Sequence, residues 1–184
     1  FIETVRPICP KTYLIIGGVC YNHVTTVQYL DKPYDDRIVY NFHCYEPLIF
    51  THQGAHWMKE FPKDFRISYP CDVKKYREEY KRLFGDEDTE IFKEQVTEMS
   101  PKFFEFIFTK AIEAAEKYDV ALYCGEYGVI DLADEESKKK WLKDIRSALD
   151  NHHIGRALWN YKEKDFGFVD ESFKEIQDDF IAVL

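Results

Sequence analysis

Residues 120–130 read VALYCGEYGVI, an apolar run that contains one charged residue. A short apolar run of this kind predicts a buried strand. Glu126 interrupts it between Gly125 and Tyr127. A carboxylate is costly to bury unless it is paired or hydrogen-bonded, so Glu126 is the most unusual residue of the chain. The alternative is a purely structural role, in which Glu126 is hydrogen-bonded and holds a loop.

Three further strand-like runs and several amphipathic segments surround this stretch. The strand-like runs are residues 12–19 (TYLIIGGV), 37–45 (RIVYNFHCY) and 154–161 (IGRALWNY). Helices are predicted for residues 23–30, around 73–84, and for 100–118, 134–149 and 171–183. A strand followed by a helix, four times over, predicts a parallel sheet covered by helices. Two architectures fit this order: an open α/β sheet, and part of a (β/α)8 barrel.

Unusual side chains gather where the predicted strands end. His43 and Tyr45 end the second strand and Trp159 ends the fourth. In both architectures the carboxyl ends of the strands form the active edge. Together with Glu126, these side chains would give a cleft a carboxylate, an imidazole, a phenol and an indole. Aromatic rings stack on the apolar faces of sugars, so such a cleft is suited to bind a sugar. Two glycines beside the carboxylate, Gly125 and Gly128, are expected to let a substrate approach closely.

Composition narrows the function classes. The 184 residues are 45% hydrophobic, which is typical of one globular domain or a piece of a larger one. The net charge of -9 argues against nucleic-acid binding. No run reaches the roughly 18 apolar residues of a membrane span. The first residue is Phe1, so the chain is predicted to begin inside a longer gene product. The five cysteines lack zinc spacing and are expected to be reduced, with no metal site.

Three segments match a known family: FHCYEPLIFTHQGAHW (42–57), LYCGEYGVI (122–130) and ALWNYKEKDFGF (157–168). Together they resemble the second half of a family 5 glycoside hydrolase, in the branch rich in bacterial endoglucanases (cellulases). The resemblance implies strands five to eight of a (β/α)8 barrel, retaining hydrolysis of β-linked polysaccharides, and no cofactor. Endoglucanases match most, while mannan- and xyloglucan-active relatives leave the substrate open.

The resemblance also implies residue roles. Glu126 resembles the catalytic nucleophile at the end of the seventh strand. His43 and Tyr45 resemble a sixth-strand pair in which the tyrosine hydroxyl contacts the nucleophile. Trp159 resembles the platform under the sugar. The loop over the cleft offers three further candidates for substrate contact, with packing inside the loop as the alternative: His52, Gln53 and Trp57.

One part of the family's machinery is missing. Members carry an Asn-Glu-Pro motif whose glutamate is the general acid/base, and this sequence has no Asn-Glu pair. Retaining hydrolysis needs two carboxyl groups about 5–5.5 Å apart, so the chain alone is predicted to be inactive or very weak. Glu46 follows Tyr45 directly and should point away from the cleft. Glu163 and Asp165, in a polar loop, are not expected to replace the acid.

Four strands leave two open edges and an uncovered inner face, which predicts a partner besides the polysaccharide. It is either the missing N-terminal half of the barrel or a second copy. In a two-fold dimer, the acid's position would receive the partner copy's tryptophan from the fourth strand's end, and no glutamate.

A carbohydrate-binding remnant without chemistry is the alternative function. Relatives are often secreted, whereas the odd cysteine count and the lack of a leader leave a cytoplasmic location open.

Overall fold

The computed structural model describes residues 1–85, 91, 92, 95–169, 178, 181 and 182. The strands are β1 (Leu14–Gly17), β2 (Ile38–Cys44), β3 (Ala121–Tyr127) and β4 (Gly155–Leu158). The helices are α1 (Ile2–Val5), α2 (Leu48–Thr51), α3 (Val73–Phe84), α4 (Pro101–Tyr118) and α5 (Glu135–Asn151), and a 3₁₀ helix covers Val24–Tyr29.

The four strands form one parallel sheet in the order β1-β2-β3-β4. Each strand therefore pairs with the next one along the chain. An open doubly wound sheet reverses its strand order at a switch point, whereas a (β/α)8 barrel keeps consecutive strands adjacent. The described strands show the consecutive order, which selects the barrel segment over the open sheet.

The two long helices begin where the sequence predicts. The Ser100 hydroxyl accepts from the Lys102 N–H, and proline occupies the first turn of α4. The Asp134 carboxylate accepts from the Ser137 N–H at the start of α5. The residues that α4 buries form one apolar face. They are Phe103, Phe104, Ile107, Phe108, Ala111 and Ala115.

Large rings fill the layer between the sheet and these helices. Phe42 on β2 packs against Phe108 on α4, with ring centroids 5.2 Å apart. Trp141 on α5 is fully buried and meets Phe104 edge-on at 5.6 Å. Such aromatic contacts fix the helices against the sheet and against each other.

The opposite side of the sheet carries one apolar row and is only partly covered. Ile15, Val39 and Ala121 lie side by side across β1, β2 and β3. Ile15 is 58% exposed. In the sheet, β1 and β4 each have a neighbour on one side only. Within the described residues, this inner face and the β1 edge therefore remain open to a partner.

The differences from the predicted elements are small. The segment after β1, where the sequence predicts a helix over residues 23–30, is a 3₁₀ helix over Val24–Tyr29 that buries Val24 and Val27. The predicted helix 171–183 lies outside the described residues apart from positions 178, 181 and 182.

All five cysteines are unpaired, and Cys44 and Cys124 are buried. No helix in the described part of the chain is both long and apolar enough to cross a bilayer.

Candidate active site

A bulge in the sheet turns Glu126 toward the cleft. Phe42 pairs with Cys124, but the next residue of β2, His43, pairs with Glu126, so Gly125 is an extra residue in β3. In a regular strand Glu126 would share the helix-covered face with Cys124, two positions before it. The extra residue moves the carboxylate beside His43 instead.

Two side chains from β2 and its end hold the Glu126 carboxylate. The Tyr45 hydroxyl donates to Oε2 of Glu126 at 3.0 Å. Nδ1 of His43 lies 3.3 Å from the same oxygen. The Glu126 side chain is 31% exposed, so it is open to a ligand on one side. Glu126, His43 and Tyr45 thus form one cluster at the carboxyl ends of adjacent strands.

The protonation of this cluster follows from its surroundings. Burial and the nearby Glu126 carboxylate raise the pKa of Tyr45, so the phenol stays a hydrogen-bond donor. Burial lowers the pKa of His43, and the attraction of Glu126 opposes that change only in part. A neutral His43 has one ring proton. The Asn22 amide lies 3.4 Å from Nε2 of His43, and donation there leaves the proton on Nδ1, facing Glu126.

Asn22 is a site residue that the sequence did not reveal. It follows Cys20 and Tyr21, and all three have positive φ, between 50° and 59°. Its carbonyl oxygen also accepts from the His43 N–H at 2.8 Å. A Cβ at Gly17 would lie 1.9 Å from Oδ1 of Asn22, so the glycine makes room for this amide. The available signal was the glycine pair followed by an asparagine, a residue type that tolerates the left-handed region.

Trp159 begins the loop after β4, next to the end of β3. Its N–H donates to the Tyr127 carbonyl at 2.8 Å, and the residue is 42% exposed. The expectation that the flanking glycines admit a substrate is wrong. A Cβ at Gly128 would lie 2.1 Å from the Trp159 carbonyl oxygen, and one at Gly125 would lie 2.4 Å from Oδ1 of Asn41. Both glycines make room for protein atoms.

The loop after β2 places two of its three candidates near the cluster. The His52 ring meets the Tyr45 ring edge-on at 5.1 Å and the Trp57 ring at 6.0 Å. Trp57 is 45% exposed and can present its ring to a ligand. Phe166, which the sequence did not single out, contacts Tyr45, His52 and Trp57 at 5.8, 5.2 and 6.2 Å and ties this loop to the one after β4.

Gln53 is the exception, and its candidate role in substrate contact is corrected. It is 1% exposed. Its amide group donates to the Phe50 carbonyl at 2.9 Å, and its carbonyl accepts from the Ile67 N–H at 3.0 Å. Both polar atoms of the side chain are hydrogen-bonded to the backbone of the loop, so Gln53 packs the loop and does not face the cleft. The alternative weighed from the sequence, loop packing, is the observed one.

The carboxylate that follows Tyr45 points away from the cleft, as the strand alternation predicts. Glu46 is buried and accepts from the Tyr80 hydroxyl at 2.8 Å and from the Leu48 N–H at 3.1 Å. Across the described ranges, no group of three or more His, Cys, Asp or Glu side chains is arranged to hold a metal ion.

His52 should make the chain sensitive to acid. Burial lowers the pKa of His52 to about 4. The unfolded chain binds this proton below about pH 6.5, so stability is lost as the pH falls from there toward 4. Between pH 7 and 4.5 the wild type is expected to lose about 2–3 kcal/mol more free energy of unfolding than His52→Gln.

Urea unfolding at the two pH values measures this difference. The control is His152→Gln, which changes an exposed histidine at the end of α5 and should behave like the wild type. An equal loss of stability in the wild type and His52→Gln would show that His52 does not carry the acid sensitivity.

The family assignment rests on comparisons with known proteins. The family model described as Cellulase (glycosyl hydrolase family 5) matches residues 1–165. Cellodextrinase A of Ruminococcus flavefaciens is 41% identical over 155 residues, which are 84% of this chain and 39% of that protein. Endoglucanase C of Acetivibrio thermocellus is 36% identical over an alignment of 192 positions, which covers all of this chain and 53% of that protein.

Solved structures agree on the fold. A hyperthermophilic endo-β-1,4-glucanase in complex with substrate has a TM-score of 0.72 at 25% identity, over 97% of this chain and 50% of that one. Subunit Z of the clostridial cellulose synthase (CcsZ) from Clostridioides difficile has a TM-score of 0.73 at 24% identity, over 100% and 52% of the two chains. The chain thus spans about half the length of these relatives and corresponds to the C-terminal half of the curated ones. By its family-model match and its four consecutive strands of a (β/α)8 barrel, the chain belongs to glycosyl hydrolase family 5, the cellulases.

Proposed function

We propose that this chain supplies the nucleophile and part of the sugar-binding cleft of a retaining endo-β-1,4-glucanase. The observation that carries the proposal is the Glu126 carboxylate, which is partly exposed at the strand ends and held through one oxygen by Tyr45 and His43. Relatives named endoglucanase and cellodextrinase support β-glucan as the substrate class.

In this proposal the two carboxylate oxygens have different roles. Tyr45 and His43 both contact Oε2, which fixes the orientation of the group and spreads its charge. Oε1 attacks the anomeric carbon, a covalent glycosyl bond to Glu126 forms, and the bond from that carbon to the leaving oxygen breaks. A water molecule then attacks the same carbon from the face that the leaving group vacated and gives one proton to the acid/base group, while the bond between that carbon and Oε1 of Glu126 breaks. The sugar is released with its configuration retained and the carboxylate is restored.

Trp159 and the residues after β2 would bind the sugars. An indole that is 42% exposed next to the Glu126 strand offers a stacking surface for a pyranose ring. Trp57 offers a second exposed ring farther along the loop, with His52 packed between it and Tyr45. These aromatic surfaces support binding of a chain of several β-linked sugars.

The leaving oxygen needs a proton, and neither Glu46 nor Asp165 is a good source of it. Glu46 is buried in its own hydrogen bonds, and Asp165 lies in the loop after β4, 3.7 Å from the exposed His56. We assign the acid to the N-terminal four βα units of a family 5 barrel, docked on the open β1 edge and the inner sheet face. A second copy of this chain would cover the same face and bring no acid there.

An activated substrate tests the role of the nucleophile separately from that of the acid. Dinitrophenolate leaves without a proton, so dinitrophenyl β-cellobioside needs the nucleophile but not the acid. The chain alone is expected to release a burst of about one equivalent of dinitrophenol and then turn over slowly, since the group that activates water is assigned to the N-terminal half. Azide, a nucleophile that needs no base, should speed the slow phase. Carboxymethyl-cellulose should be hydrolysed very poorly.

Stopped-flow absorbance measures the burst, and reducing-sugar release measures the polysaccharide reaction. Absence of any burst, with the sugar still bound, would contradict the nucleophile and favour the carbohydrate-binding alternative. Efficient cellulose hydrolysis that disappears in Glu126→Gln would contradict the claim that the acid comes from outside this chain.

A further inference from the structure

Glu46 is a buried carboxylate directly behind the cleft, and three donors bind it. Nε2 of His23 lies 2.9 Å from Oε1, while the Tyr80 hydroxyl and the Leu48 N–H contact Oε2 at 2.8 and 3.1 Å. Burial alone would raise the pKa of Glu46, but the bonds from His23 and Tyr80 outweigh it and the pKa is lowered. Glu46 is therefore an ionised carboxylate inside the protein.

The geometry of His23 sets the direction of its bond to Glu46. The Thr25 N–H donates to Nδ1 of His23 at the start of the 3₁₀ helix. With Nδ1 accepting, the ring proton of the neutral form is on Nε2 and points at Glu46. The ring thus caps the 3₁₀ helix with one nitrogen and binds the carboxylate with the other.

This group of residues joins several elements at the end of β2. His23 precedes the 3₁₀ helix, and Tyr80 lies on α3. From α5, Nε1 of Trp141 donates to the backbone carbonyl of Glu46 at 2.9 Å. The backbone after Tyr45 is therefore held from three directions by buried polar contacts.

The same group reaches the Glu126 cluster by two covalent connections. Glu46 follows Tyr45, whose hydroxyl contacts Glu126. His23 follows Asn22, which contacts His43 through both its amide and its carbonyl. We propose that His23 and Glu46 are positioning residues that fix the Tyr45 hydroxyl and the His43 ring on Glu126. This rests on the proposed function, since it assigns the pair to the same nucleophile.

A double-mutant cycle on the dinitrophenol burst tests the role. Glu46→Gln is expected to lower the burst rate constant by roughly 10- to 100-fold, because a displaced contact group costs about that much, with the half-saturating substrate concentration unchanged. In a Tyr45→Phe background the same change should cost clearly less than in the wild type, since one of the two groups that it positions is already gone. Equal factors in both backgrounds would overturn the proposal.

NMR of the ring signals gives a readout that does not depend on activity. Glu46→Gln should shift the His43 ring nitrogens and the Tyr45 ring signals, and Tyr80→Phe, which removes one of the three donors, should shift them less. The matched control is Asp144→Asn, another buried carboxylate that accepts from a tyrosine hydroxyl, that of Tyr69 at 3.0 Å. It should lower stability and leave the His43 and Tyr45 signals in place.

The two readouts separate the proposals. If the wild type shows no burst, the proposed function fails, while shifted His43 and Tyr45 signals in Glu46→Gln still support positioning. If those signals stay unchanged in a folded Glu46→Gln variant, or move equally in Asp144→Asn, His23 and Glu46 only stabilise the fold and the inference is wrong.

Discussion

Glu126→Gln is expected to lower the rate constant of the dinitrophenol burst by roughly 10³-fold or more, the scale of removing a covalent nucleophile. An amide carries no negative charge and does not form the glycosyl bond. The substitution keeps the size of the side chain and its acceptor for the Tyr45 hydroxyl, which lies at 3.0 Å in the wild type. The loss would therefore report chemistry and not a collapsed cleft.

The control is Glu116→Gln, which changes an exposed glutamate on α4 and should leave the burst unchanged. Unfolding of both variants is followed in parallel to show that they remain folded. A Glu126→Gln variant that keeps its burst within about threefold of the wild type would assign the chemistry to another group and contradict the proposed function.

Mixing the chain with the first four βα units of a family 5 endoglucanase is expected to raise carboxymethyl-cellulose hydrolysis by roughly 10²–10⁴-fold, the usual contribution of a general acid/base. The open β1 edge offers unpaired backbone groups, and Ile15 on the inner face is 58% exposed. Closing the barrel would pair that edge, bury that face and bring a second carboxyl group opposite Glu126.

The matched control is the same N-terminal piece with its acid/base glutamate changed to glutamine. It should bind equally well, increase the molecular mass in solution by the same amount, and fail to raise hydrolysis. Hydrolysis that rises equally with both versions would show that the acid is not supplied by the added half.

Much of the fold follows from local patterns in the sequence. Ser100 and Asp134 predict the starts of α4 and α5 because side-chain caps act within a few residues. The alternation of apolar runs with amphipathic segments predicts the parallel sheet. Glu126 stands out because one charged residue in an apolar run has an energetic cost that needs a compensating contact.

Other features depend on contacts that no local pattern encodes. The bulge that turns Glu126 beside His43 appears only in the register of β2 and β3. Gln53 looks like a loop residue that could reach a ligand, but its partners Phe50 and Ile67 fold back around it. The space beside Gly128 is taken by the Trp159 carbonyl, which is distant in sequence.

The buried group around Glu46 shows the same limit. His23, Glu46 and Tyr80 are far apart in the chain and meet only when the 3₁₀ helix, the end of β2 and α3 pack together. The sequence predicts that Glu46 points away from the cleft, because side chains alternate along a strand. It does not predict which donors satisfy the carboxylate there, and these donors are what suggests its positioning role.

Mass spectrometry of the chain after brief mixing with dinitrophenyl β-cellobioside tests the nucleophile most directly. Because the account assigns the base that activates water to the N-terminal half of the barrel, the covalent intermediate should accumulate on this chain alone, and acid quenching should preserve it. We expect one added cellobiosyl group per chain, located on the peptide that contains Glu126. An adduct on a different carboxylate, or none during a measurable burst, would contradict the account.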